Sequence, residues 1–78
     1  MRIEQVGGIL RDAELSRNFP NSFFHLFREK TVLGVEYTLI VRDNHTRRIT
    51  HRADITLKAG GTDNEIRTAL LKNLKVMR

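Results

Sequence analysis

Residues 35–58 contain two alternating runs in close succession, and they constrain the fold more than any other stretch. VEYTLIVR places Val35, Tyr37, Leu39 and Val41 on one side and Glu36, Thr38, Ile40 and Arg42 on the other. RITHRADITLK places Ile49, His51, Ala53, Ile55 and Leu57 together, with Arg48, Thr50, Arg52, Asp54, Thr56 and Lys58 opposite. Side chains alternate between faces along a strand, so each run reads as a half-buried strand. The short DNHTR segment between them predicts an antiparallel hairpin.

Both apolar sets must face one core, which restricts the register. A two-residue loop at Asn44-His45 would set Arg48 beside Val41, and a slip of one residue flips every side chain. A three-residue loop of Asn44, His45 and Thr46 instead pairs Asp43 with Arg47 and Val41 with Ile49. Leu39 then meets His51, Tyr37 meets Ala53 and Val35 meets Ile55. The loop has no glycine, so Asn44 or His45 is expected to take the unusual backbone conformation. A longer loop that keeps the same faces together is the alternative.

After Ala59-Gly60-Gly61, Thr62 stands as an N-cap, with Glu65 as its capping-box partner. Ile66, Ala69, Leu70, Leu74 and Met77 recur at helical spacing. Asp63 and Glu65 early and Lys72, Lys75 and Arg78 late suit the helix dipole. The spacing predicts a helix over about Asp63 to Val76.

The first half is less regular. MRIEQV reads as an opening strand ended by Gly7-Gly8, ILRDAELSR has partial helical spacing, and FPNS is a turn signal. In SFFHLFREK, Phe23, His25 and Phe27 alternate as in a strand, while Phe24 and Phe27 also fit a helix capped by Asn21; the strand is preferred because the run leads to a hairpin near Lys30 to Gly34. The four phenylalanines, Phe19, Phe23, Phe24 and Phe27, are expected to supply much of the core. If Phe23 and Phe24 are adjacent in a strand, one of them must point to the opposite face.

These elements predict one small basic α+β domain spanning 1–78: an antiparallel sheet of three or four strands with a C-terminal helix on one face. At 40% hydrophobic and 29% charged, the composition is that of a folding chain. A domain of this size buries only about 60% of its unfolded surface, so a partner or second copy would add stability. Cysteine is absent, which excludes a disulfide scaffold and fits a reducing compartment; the expected location is cytoplasmic. The apolar run near the N-terminus is too short for a signal peptide, and nothing approaches a membrane span.

Fourteen Lys and Arg against nine Asp and Glu give a net charge of +5, which attracts polyanions. The excess is densest in RDNHTRRITHR, where Arg42, Arg47, Arg48 and Arg52 surround His45. Arg42, His45, Arg47, Arg48 and Arg52 are therefore the candidate nucleic-acid-binding residues. Arginine presents a donor fork suited to phosphate and guanine edges. In the preferred register Arg42 opposes Arg48, a like-charge pair that costs stability unless an anion offsets it. A two-stranded ribbon of this kind fits a DNA major groove or tracks RNA phosphates. Backbone contacts are favoured over base stacking, because Tyr37 falls on the apolar face and tryptophan is absent; His25, Phe23 or Phe24 could stack if exposed. An ordinary solvated strand face accounts for the same alternation, and Glu36 and Asp54 make its far end acidic.

Other constellations carry less. His25, His45 and His51 do not converge and match no common zinc spacing. Glu4, Asp12, Glu14 and Glu29 show no pattern that gathers them for magnesium. Gly7-Gly8 and Gly60-Gly61 are not phosphate loops, and neither Ser16 nor Ser22 has a partnered base. No cofactor is implied, and a non-enzyme is expected. Two function classes follow: a nucleic-acid-binding protein acting on DNA or RNA, and a protein-interaction module (an inhibitor, adaptor or complex subunit). The module would use a sheet edge or exposed aromatics, as a homodimer or with an acidic protein partner.

Overall fold

The computed structural model describes residues 3–5, 17–58 and 61–77. The expected α+β fold is present. Among the described residues, five strands follow one another across an antiparallel sheet: β1 (Ile3–Gln5), β2 (Ser22–Thr31), β3 (Gly34–Asp43), β4 (Ile49–Leu57) and β5 (Lys75–Val76). The helix α1 (Asp63–Lys72) links the last two. The three long strands and β1 make up the expected sheet, and β5 adds a short rung against His51 and Arg52. Gly7-Gly8, most of the ILRDAELSR segment, Ala59 and Gly60 lie outside the described residues.

The strand reading of SFFHLFREK holds through Thr31. Val32 and Leu33 form the turn into β3. Thr31 Oγ1 accepts the Leu33 N–H at 3.2 Å and donates to the Gly34 carbonyl at 3.2 Å. Gly34 is required here: its φ is 138°, and an added Cβ would lie 2.5 Å from the Leu57 carbonyl oxygen.

The β3–β4 register differs from the expected one. Val41 pairs with His51, Leu39 with Ala53, Tyr37 with Ile55 and Val35 with Leu57. That is a two-residue shift, which keeps the faces matched. The loop is longer because the Asp43 N–H donates to the Arg48 carbonyl at 2.9 Å. Arg42 pairs with Ile49 while Val41 pairs with His51, so Thr50 is the extra residue of a β-bulge. Its hydroxyl donates to the Val41 carbonyl at 3.3 Å. Ile49, expected among the inward residues, is thereby set opposite Arg42 in the sheet.

The core has one sheet face and one helix stripe. Leu26, Tyr37, Leu39, Val41 and Ala53 are buried from the sheet, and Ile66 and Leu70 from α1. Phe19, Phe24, Val35, Ile55, Leu57 and Leu74 pack around them. Each fully buried aliphatic side chain contributes roughly 1.5–3 kcal/mol. The phenylalanines divide: Phe19 and Phe24 join the core, while Phe23 and Phe27 alternate onto the other face of β2. His51 is half-buried, with Nδ1 3.0 Å from Thr50 Oγ1 and Phe19 edge-on at 4.8 Å.

The capping box at Thr62 and Glu65 is present. The Thr62 hydroxyl accepts the Glu65 N–H at 3.2 Å, and the Thr62 N–H reaches Glu65 Oε1 at 3.4 Å. The helix stops at Lys72, four residues before the expected Val76. Asn73 ends it by donating its side-chain amide to the Ala69 carbonyl at 2.7 Å. Beyond it Leu74 still packs on the core, but Met77 is exposed. The Met77 N–H bonds the Thr50 carbonyl at 2.8 Å as the chain runs along β4.

Candidate nucleic-acid interface

The β3–β4 loop is built around Asp43. Its Oδ1 accepts the His45 N–H at 2.7 Å and the Thr46 N–H at 3.0 Å. This is the local bonding that suits aspartate to turns. Those two backbone donors hold the Asp43 carboxyl below the ordinary carboxylate range. The Arg47 N–H returns to the Asp43 carbonyl at 3.0 Å, and the Asn44 N–H is fixed to the Asn21 carbonyl at 2.9 Å. The unusual conformation falls on Arg47, with φ of 65°, and not on Asn44 or His45. A left-handed backbone costs a side-chain-bearing residue about 1–2 kcal/mol.

The sheet face opposite α1 reads in rows across the strands. Phe23, Arg42 and Ile49 form the row nearest the loop, followed by His25, Ile40, Arg52 and Lys75. Next come Phe27, Thr38 and Asp54, and then Glu29, Glu36 and Thr56. Phe23 and His25 meet edge to face at 5.2 Å, and the His25 and Phe27 rings are 6.2 Å apart and within 13° of parallel. The Arg47 guanidinium stands over the Phe23 ring at 5.9 Å, a cation–π contact. Arg42 donates through Nη1 to the Arg47 carbonyl at 2.6 Å. These bonds bring Arg42 and Arg47 to the aromatic end of the face.

All five sequence-predicted residues lie at or near that end. Arg42 is half-buried, whereas His45, Arg47, Arg48 and Arg52 are exposed. The expected Arg42–Arg48 opposition does not occur, because the longer loop sets Ile49 opposite Arg42. Among the described residues no carboxylate pairs with Arg42, Arg47 or Arg48. Arg52 pairs with Asp54, Nε to Oδ2 at 2.9 Å and Nη2 to Oδ1 at 3.3 Å. Thr38 donates to the same carboxylate at 2.9 Å. Arg52 holds the Asp54 carboxyl below its ordinary range, with Thr38 and Lys75 acting in the same direction. Glu29 and Glu36 stand opposite one another in the far row, so the face is basic and aromatic at the loop end and acidic at the other.

The free ribbon expected for a major groove is not what forms. β2 flanks β3 as far as Asp43, and β5 flanks β4 at His51 and Arg52. The hairpin lies within a sheet, and only its loop projects. Sequence reasoning offered Phe23, Phe24 or His25 as exposed rings without deciding among them, and missed Phe27 and Lys75 as members of this surface. The alternation of Phe23, His25 and Phe27 carried the signal for these three rings. Lys75 was hidden by the overlong helix. His25, His45 and His51 fall on the open face, the loop and the core face respectively. Among the described residues no group of three His, Asp or Glu side chains is placed to hold a metal, and no enclosed cavity is present. No described helix is long and apolar enough to cross a membrane. Comparison with protein-family models, curated proteins and solved structures finds no match to the chain. A functional reading therefore rests on the surface itself.

Proposed function

We propose that the protein is a small, non-enzymatic nucleic-acid-binding domain that engages the phosphate backbone through Arg42, Arg47, Arg48 and Arg52. One observation carries this reading. Arg42 and Arg47 stand at one end of an open sheet face, Arg48 is exposed in the adjoining loop, and none of the three has a carboxylate partner among the described residues. Arg52 and Lys75 extend the same charge along the next row. Guanidinium groups freed from carboxylates are available to phosphate oxygens, with which they form strong charge-assisted bonds. His45 beside them offers a further donor at the rim of the loop.

The test is fluorescence anisotropy with labelled DNA and RNA over a salt series. Four phosphate contacts give a log–log salt slope of about −2.8 for a single strand and about −3.6 for a duplex. Replacing Arg42, Arg47, Arg48 and Arg52 by glutamine should abolish that binding while leaving the fold intact by circular dichroism. Absence of binding to every nucleic acid at low salt would overturn the proposal.

A second reading, a protein-interaction module, has its own observation. Val32 and Leu33 at the β2–β3 turn are exposed, at 103% and 76%. Adjacent exposed apolar residues at a hairpin tip suit a protein contact better than a phosphate one. Loss of self-association or partner capture in a Val32→Ser, Leu33→Ser variant would support that reading, measured by light scattering for a homodimer.

A further inference from the structure

We infer that the Phe23–His25–Phe27 row is a stacking platform for unpaired bases, which makes the ligand a single-stranded nucleic acid. This rests on the phosphate-binding reading and deepens it. Three rings stand at alternate positions of β2 on the face away from α1, and all three remain partly exposed. Alternate residues of a strand are roughly 6.7 Å apart. That is about twice the ~3.4 Å rise per nucleotide within one strand of B-DNA. An extended single strand can therefore present successive bases to successive rings, whereas a duplex keeps its bases stacked on each other.

Charge complementarity selects the occupant. Arg47 lies over Phe23, Arg42 stands beside Phe23 in the next strand, and Ile40 separates His25 from Arg52 and Lys75. A strand running along β2 would set its bases over the rings and its phosphates toward the arginines. Every base has a π-face, so such a platform tolerates sequence. The acidic row of Glu29 and Glu36 marks where the backbone should leave the surface.

The sheet geometry disfavours the duplex. Adjacent strands are about 4.8 Å apart, so β2, β3 and β4 with their side chains exceed what fits a groove about 12 Å wide. The aromatic residues lie on the broad face, beyond the reach of bases paired inside a duplex.

The experiment compares a labelled oligothymidine, an oligouridine and a mixed-sequence duplex of equal length. Each is titrated with the parent protein, the four-glutamine variant and a Phe23→Leu, Phe27→Leu variant that keeps apolar volume but removes the rings. The expected result is tighter binding of the single strands by the parent. The leucine variant should lose roughly 5- to 150-fold per stacked base, with duplex affinity unchanged. Equal affinity for duplex and single strand, or no loss in the leucine variant while the glutamine variant fails to bind, would overturn stacking and leave phosphate binding standing. Failure of every probe at low salt would overturn both. Should the leucine variant not fold, photocross-linking of a bromouracil oligonucleotide to the parent protein decides. Adducts mapped to Phe23, His25 or Phe27 support the platform, and adducts confined elsewhere overturn it.

Discussion

Arg47 occupies a backbone position that suits glycine, and replacing it tests the loop geometry. Its φ of 65° lies in the left-handed region, where a Cβ costs about 1–2 kcal/mol. Arg47→Ala and Arg47→Gly both remove the guanidinium from Phe23, so that loss cancels between them. The Arg42 bond to the Arg47 carbonyl engages backbone and is available to both. At an ordinary site alanine is the more stable by about 0.4–1 kcal/mol, because glycine has more unfolded-state freedom to lose. Here relief of the left-handed strain outweighs that term, leaving Arg47→Gly ahead of Arg47→Ala by about 1 kcal/mol. In a domain of this length that is roughly 4–8 °C in Tm. Thermal and urea denaturation of the two variants measure the difference. Equal stability, or the ordinary order with alanine ahead, would refute the left-handed loop. Both variants should also bind single strands equally weakly, so that stability and binding separate.

Other perturbations address the core, the ion pair and the loop. Leu39→Ala removes a fully buried side chain at the centre of the middle strand. It should cost about 2–5 kcal/mol, a large part of the ~4–12 kcal/mol available to a chain of this length, read as a lower urea midpoint. Asp54→Asn frees Arg52 from its carboxylate and should tighten nucleic-acid binding severalfold at low salt, with the gain fading as salt screens it. Asp43 has a folded pKa below its unfolded value. Its stabilisation is therefore present above about pH 4 and lost as the pH falls through the folded value. Tm should drop more steeply in acid for the parent than for Asp43→Asn, and parallel profiles would contradict the Asp43 account.

Much of the fold was legible because alternation fixes strand faces whatever the register. The faces of Val35 to Val41 and of His51 to Leu57 came directly from the sequence, as did the capping box at Thr62. The register did not, because it depends on how the loop closes. The Asp43–Arg48 bond and the bulge at Thr50 are competing local solutions with no glycine to mark them. The helix end was misread because Leu74 and Met77 continue the helical period. Only the amide of Asn73, bonded to the Ala69 carbonyl, reveals the stop. The arginines were found from their density, whereas alternation required Phe23 or Phe24 to leave the core face without saying which, and Phe27 was expected in the core. Their placement followed from Leu26, which takes the buried position opposite Leu39 and fixes the parity of β2.

The most direct test of the account is a titration of isotope-labelled protein with oligothymidine, followed through amide and aromatic NMR shifts. The surface described here predicts perturbations at Phe23, His25, Phe27, Arg42, Arg47, Arg48, Arg52 and Lys75, with α1 and the Val32–Leu33 turn unchanged. Saturating shifts centred on that turn or on α1, or no shifts at low salt, would contradict it.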